Sequence, residues 1–237
     1  MNQDFRDLPE RLARVQEEIA RRQALAGWSH PLTIVAVTKG FGPDAVRAAQ
    51  AAGLADIGEN RVQEALAKIE ALAEAPLTWH LIGHLQRNKA KFIPGRFAVV
   101  HSVDSASLAT ELERRAGEEA GRSGDASTIR VLVQVNVAGE EQKSGCTPAQ
   151  APEIARAVTA QPHLKLEGLM TIAPFTDDWS VQRNTFRALR LLRDELQKEG
   201  LWVPALSMGM SADYGMAVEE GATILRLGTA LFGPRMT

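Results

Sequence analysis

The stretch TIVAVTKGF, residues 33–41, is a run of apolar and β-branched residues that stops at a lysine, Lys39, before a glycine and an aromatic. A near-continuous apolar run of this length is the pattern of a parallel strand covered on both faces, not of a half-solvated one. Seven more β-rich runs follow it: ADIGEN (55–60), WHLIGH (79–84), AVVHSVD (98–104), RVLVQVNV (130–137), LEGLMTIA (166–173), ALSMG (205–209) and TILRLG (223–228). Helical patterns lie between them. Residues 61–73 place Val62, Ala65, Leu66, Ile69 and Leu72 on one face, and residues 183–198 do the same with Phe186, Leu189, Leu192 and Leu196. Strict alternation of strand and helix makes a parallel sheet the economical solution. Eight units over about 200 residues suit a closed (β/α)8 TIM barrel better than an open doubly wound sheet. No GxGxxG opens a helix, which lowers the dinucleotide-binding alternative further.

A further amphipathic segment, with Leu8, Leu12, Val15 and Ile19 at helical spacing, precedes the first strand. It predicts an extra N-terminal helix within 1–27 that caps one end of a barrel spanning 33–233, the whole chain 1–237 forming one domain. Pro43 and Pro148 are expected at helix starts, where no amide donor is needed. The stretch AGRSGDAST, 120–128, reads as a loop. With 45% hydrophobic and 24% charged residues the composition is that of a soluble globular protein. A net charge of −2 with no basic stripe speaks against nucleic-acid binding. The polar N-terminus and the lack of any run approaching ~18 apolar residues point to the cytoplasm and away from a membrane. The single cysteine, Cys146, reads as an ordinary thiol, and no metal site is expected.

In such a barrel the carboxyl ends of the strands form the site. There lie Lys39, Asn60, His84, Asp104, Asn136 and the segment SMGMS. Taken singly, each has an ordinary explanation: Asn and Asp cap helices or turns, with Asp104 expected to cap the helix beginning SASLATELERR, His80 and His84 are hydrogen-bonded packing residues, and Lys39 is solvated or salt-bridged. Arg226, however, sits inside an apolar strand on the same face as Ile224 and Gly228, and a buried guanidinium demands a partner, either an internal carboxylate or a ligand. Gly228 and Thr229 follow it, and GMSAD, 209–213, leads into another helix; two amide-rich turns near the last strands resemble the phosphate pocket that barrels build there. An amine, a guanidinium and a phosphate cradle together describe a site for a phosphorylated aldehyde.

AVTKG, DIGENRVQE, WHLIGHLQRNKAK, HSVDS, VQVNVAGEEQKSG, GLMTIAP, SMGMSADY and RLGTALFG, in this order over nearly the whole chain, resemble the pyridoxal phosphate homeostasis protein family, short relatives of the alanine racemase N-terminal barrel. The resemblance implies that Lys39 holds pyridoxal 5'-phosphate (PLP) as a Schiff base, that Arg226 faces the pyridine nitrogen, and that Ser211, Gly228 and Thr229 bind the phosphate. Asn60 and Met210 are implied as lesser neighbours. It implies a PLP-binding protein of intracellular cofactor homeostasis, with PLP-dependent apoenzymes or B6 salvage enzymes as partners. The family's usual serine before the lysine is Thr38 here, and Lys143 in EEQKSG reads as a solvated loop lysine.

The chemistry agrees with this. A lysine partly buried near a permanent cation more readily presents a neutral amine to an aldehyde. An arginine can only donate, so it favours an unprotonated pyridine nitrogen and makes the ring a poorer electron sink. Racemases resembling this barrel take a second base, a tyrosine, from a separate β-domain, for which this chain has no room, and its only tyrosine, Tyr214, reads as a packed aromatic. The expectation is therefore a monomer that binds PLP without a complete catalytic set. The alternatives are a weak PLP-dependent amino acid racemase and a phosphosugar enzyme working through a lysine Schiff base.

Overall fold

The computed structural model describes residues 4–124 and 128–234. Its eight strands are β1 (Thr33–Val37), β2 (Asp56–Glu59), β3 (Thr78–Leu81), β4 (Val99–Val103), β5 (Ile129–Gln134), β6 (Leu164–Met170), β7 (Ala205–Met210) and β8 (Ile224–Leu227). All pairings are parallel, and β8 returns to β1 through the register Thr33↔Ile224 to Ala36↔Leu227, closing the barrel. Every one of the eight apolar runs becomes a strand. Lys39, Asn60, Ser211, Gly228 and Thr229 lie just beyond the strand ends, while Met210 ends β7 and Arg226 lies inside β8.

Helices α2 (Pro43–Ala51), α3 (Val62–Ala71), α4 (Ala106–Ser123), α5 (Ala151–Thr159), α6 (Trp179–Lys198), α7 (Tyr214–Glu219) and α8 (Thr229–Phe232) fill the connections, with a 3₁₀ helix, Arg87–Phe92, between β3 and β4. The main core lies between sheet and helices, while Val35, Val99, Leu132, Met170 and Ile224 form a separate cluster inside the barrel. Because side chains alternate along a strand, Val37 and Lys39 share the inward face of Val35, and Arg226 and Gly228 share that of Ile224. A buried strand ends in an amine because that amine points into the mouth of the barrel.

The first helix, α1 (Leu8–Ala26), buries Leu8, Leu12, Val15 and Ile19 as its periodicity requires, but it does not cap an end. It lies along the flank, packed against α7 and α8, with Arg11 against Gly233 near its start and Arg22 paired with Glu219 near its end. At four residues, α8 is too short to cover this side, and a helix of 19 residues, about 28 Å long, takes over the task.

Three local expectations are corrected. Pro43 does open α2, but Pro148 lies in a turn, and α5 begins at Ala151 with Pro152 in its first turn. The N-cap of α4 is Ser105, whose hydroxyl accepts from the Leu108 amide, while Asp104 faces His84 at 3.5 Å. The stretch 120–128 begins inside the last turn of α4, and its residues 125–127 lie outside the described residues, as do 1–3 of the N-terminal segment. Among the described residues, no helix is long and apolar enough to cross a membrane.

Candidate functional site at the C-terminal mouth

Lys39, Asn60, Met210, Ser211, Arg226, Gly228 and Thr229 line one cavity of about 350 Å³ at the carboxyl ends of the strands. All seven residues named from the sequence therefore meet in one place. Val37, Phe41, Ile82, Ile172 and Phe175 supply its apolar wall. Phe41 is held from behind by Phe5 and Phe232, with ring centroids at 5.8 and 5.5 Å. A larger cavity, about 520 Å³, opens at the opposite mouth and holds none of the seven. The smaller one is the better candidate because an amine, a guanidinium and converging amides meet there.

Lys39 is half-buried and has no ion-pair partner among the described residues. The segment carrying it is fixed from outside the barrel wall. Lys68 of α3, itself buried, donates to the Thr38 carbonyl at 2.8 Å and to Glu59 Oε1 at 2.6 Å. Thr38 Oγ1 donates to the same Glu59 oxygen at 2.5 Å, and the Gly40 amide donates to Glu64 Oε1 at 2.5 Å. Burial pushes the Glu59 carboxyl above its ordinary range, against the pull of Lys68 and then Thr38. The residues flanking Lys39 are thereby tied to β2 and α3. Reading the sequence for strand ends missed this cluster, although Lys68 stands on the apolar face of α3 with Val62 and Ala65, which was its one visible signal.

Arg226 is buried, and its partner is not a carboxylate. It donates through Nη1 to Ser207 Oγ at 2.7 Å and through Nη2 to the Thr171 carbonyl at 2.8 Å. Burial lowers its pKa to about 10, with Asp213 nearby working in the other direction, so the guanidinium stays charged at neutral pH. Two of its five N–H donors are accounted for by these bonds, and the group lines the cavity.

Ser211 Oγ accepts from the Gly228 amide at 3.2 Å and from the Ala230 amide at 3.0 Å. Two backbone donors thus converge on the serine where α8 starts, and the serine O–H is left to donate. The loop before it is set by Asp213, whose Oδ1 accepts from the Met210 amide at 2.5 Å. Burial raises the Asp213 carboxyl despite that bond and the Arg226 charge. Gly209 reaches φ +93°, and a β-carbon there would sit 2.6 Å from Ala217 Cβ, so the turn into the loop requires glycine. At Asn60 a similar close approach operates: a β-carbon on Gly83 would lie 2.2 Å from the Asn60 carbonyl oxygen.

The remaining candidates fall elsewhere. His80 is buried and bonded to Asp56 and His101, as a packing residue should be, while His84 is half exposed. Asn136 turns inward on its own loop, donating to the Glu140 and Lys143 carbonyls. Lys143 is not a solvated lysine: it pairs with Glu140 and donates to the Ala173 carbonyl at 3.0 Å beside an adjoining pocket that shares Asn60 with the main cavity. Tyr214 lines an outer groove with Arg11 and Arg14, not the cavity. Cys146 is buried, and burial pushes its thiol up to about 12.

A barrel of this topology with a lysine, an arginine and an amide cradle at its mouth defines a class, and the family model described as alanine racemase, N-terminal domain, matches residues 11–236. Within that class the chain belongs to the pyridoxal phosphate homeostasis protein family. It is 43% identical over 229 residues to the pyridoxal phosphate homeostasis protein of Aquifex aeolicus, covering 95% of this chain and 97% of that one. The Pseudomonas aeruginosa protein of the same name is 44% identical over 230 residues, covering 96% of each. Among solved structures, PipY of Synechococcus elongatus with PLP bound superposes with a TM-score of 0.78 at 40% identity, over 91% of this chain and all of that one.

Proposed function

We propose that this protein binds PLP at the C-terminal mouth of the barrel, covalently through Lys39, and serves intracellular PLP homeostasis by buffering, carrying or regulating the cofactor. The observation that carries this reading is the convergence of Lys39, Arg226, Ser211, Gly228 and Thr229 on one cavity of about 350 Å³. The residues fit the group. Arg226 has N–H donors to spare for a ring nitrogen, and two amides already converge on an oxygen where a phosphate oxygen would be received. When bound, PLP supplies an aldehyde that condenses with amines and a ring able to withdraw electrons.

Each residue then has one task. Lys39 presents its amine to the aldehyde carbon from a segment locked by Glu59 and Lys68. Arg226, a donor only, holds the pyridine nitrogen without a proton and so limits the ring as an electron sink. Ser211, with the amides of Gly228 and Ala230, takes the phosphate, with Thr229 beside them. Asn60 and Met210 complete the wall. No carboxyl, imidazole, thiol or phenol stands beside Lys39 and Arg226 on the described cavity wall, which favours cofactor handling over racemisation, since racemisation needs a base on each face. The proposal includes a monomer in the cytoplasm that exchanges PLP with apoenzymes or B6 salvage enzymes.

The test is to mix the purified protein with PLP and record its visible absorbance, then repeat with Lys39→Ala, assaying alanine and serine racemisation on the same samples. The expected result is a bound-cofactor band that disappears in the variant, without turnover. A band that survives in K39A would refute the anchor. Turnover on the order of 1 to 10³ per second would establish a racemase instead.

A further inference from the structure

A polar chain runs through the interior of the barrel, from its N-terminal mouth to the candidate site. Asp56 Oδ1 lies 2.8 Å from His80 Nε2, His80 Nδ1 lies 2.8 Å from His101 Nε2, and His101 Nδ1 lies 2.9 Å from Ser207 Oγ. Ser207 Oγ in turn accepts from Arg226 Nη1 at 2.7 Å. Asp56 and His80 line the wide cavity of about 520 Å³ at one mouth, and Arg226 lines the opposite cavity. His80, His101, Ser207 and Arg226 are all buried.

The two ends determine the direction of every bond. A guanidinium only donates, and His101 Nδ1 is the one acceptor beside the buried Ser207 hydroxyl among the described residues, so the Ser207 O–H is satisfied by donating to it. His101 then carries its proton on Nε2 and donates to His80 Nδ1. His80 likewise carries its proton on Nε2 and donates to the Asp56 carboxylate, which only accepts. With both imidazoles neutral, every link is satisfied, whereas an extra proton on His101, or one on His80 that shifts the His101 proton to Nδ1, would leave the buried Ser207 O–H without an acceptor. Burial in the first place, followed by the neighbouring His80, Arg226 and Arg130, keeps His101 well below the ordinary imidazole range, in agreement with a neutral ring.

Resting on the reading that the C-terminal mouth binds PLP, we infer that Asp56, His80, His101 and Ser207 are positioning residues: their one-way chain holds the Arg226 guanidinium in the orientation that meets the cofactor ring. None of the four lines the candidate cavity, and Asp56 and His80 belong to the opposite mouth. Removing an internal link frees Ser207 to rotate and Arg226 to turn, whereas a side chain that accepts on one side and donates on the other preserves the order. Glutamine at position 101 has that property.

The experiment combines nitrogen NMR of the imidazoles in the PLP-free protein with PLP titrations of H101L, S207A and H101Q, each checked for a cooperative melt. His80 and His101 should both be neutral and protonated on Nε2. H101L and S207A should weaken PLP binding about tenfold and shift the absorbance maximum of the bound cofactor, with H101Q restoring both to within about twofold of wild type. A charged or Nδ1-protonated ring at either position overturns the inference. So does folded H101L or S207A with wild-type affinity and spectrum. If H101L does not fold, S207A and H101Q decide alone. A wild-type protein that takes up no PLP overturns the reading of the site itself, whereas wild-type binding with unaltered variants overturns only the chain.

Discussion

Lys68 Nζ meets Glu59 Oε1 at 2.6 Å in a buried pair just outside the barrel wall, and Glu59 and its other partner, Thr38, each precede a cavity residue, Asn60 and Lys39 respectively. An ion pair with no solvent access therefore holds two walls of the site in register. The second Glu59 oxygen is buried with no hydrogen-bond partner, and burial is what pushes the carboxyl upward.

Breaking this pair from one side should be costly. Lys68→Met leaves Glu59 without its counter-charge and is expected to lower stability by about 3–5 kcal/mol in chemical denaturation, whereas the double variant with Glu59→Leu should recover most of the loss because no buried charge is stranded. A single variant as stable as wild type would show that the pair contributes little.

Ser211 offers a way to separate phosphate from ring recognition. Ser211→Ala removes one donor from the cradle, so PLP affinity should drop about tenfold while affinity for unphosphorylated pyridoxal stays unchanged. Equal losses for both ligands would place Ser211 outside the phosphate site.

Gly83 tests how tightly Asn60 is held. A β-carbon at position 83 would fall 2.2 Å from the Asn60 carbonyl oxygen and 2.8 Å from its Cγ, so Gly83→Ala must displace the end of β2. The expected result is a loss of about 1–3 kcal/mol in denaturation together with weaker PLP binding. A neutral effect on both would mean that this corner yields without consequence.

An ion-paired carboxyl within α1 carries a pH signature. Hydrogen bonds from Arg21 and then Arg22 hold the Glu18 carboxyl down from 4.5 to about 2. A carboxyl with a depressed folded-state value contributes its full stability above the unfolded value and loses it as pH falls through the folded one. Urea midpoints of wild type and Glu18→Gln should therefore differ by a constant amount above about pH 4.5 and converge towards pH 2. A gap unchanged down to pH 2 would rule out this pairing as its cause.

Local pattern carried most of the fold. Each apolar run is long enough to cross a covered sheet, and alternation along β1 and β8 puts Lys39 and Arg226 on the inner face without reference to any other part of the chain. Pattern was less informative about α1. Its buried stripe was legible, but its place on the flank depends on the shortness of α8, more than 200 residues away. Caps were misplaced by a residue or more at Asp104 and Pro148 because neighbouring Ser105 and Pro152 suit the same tasks.

What the sequence determined by itself is periodic and local: eight covered strands, the faces of their helices, and the residues that end each strand at the mouth. The tertiary structure alone decided which polar groups meet. Glu59 finds Lys68 across a helix–strand contact, and His101 reaches Ser207 across 106 positions. A buried hydrogen bond is satisfied by any donor that closure of the barrel brings within 3 Å, and that distance is set by the shape of the whole sheet, not by spacing along the chain.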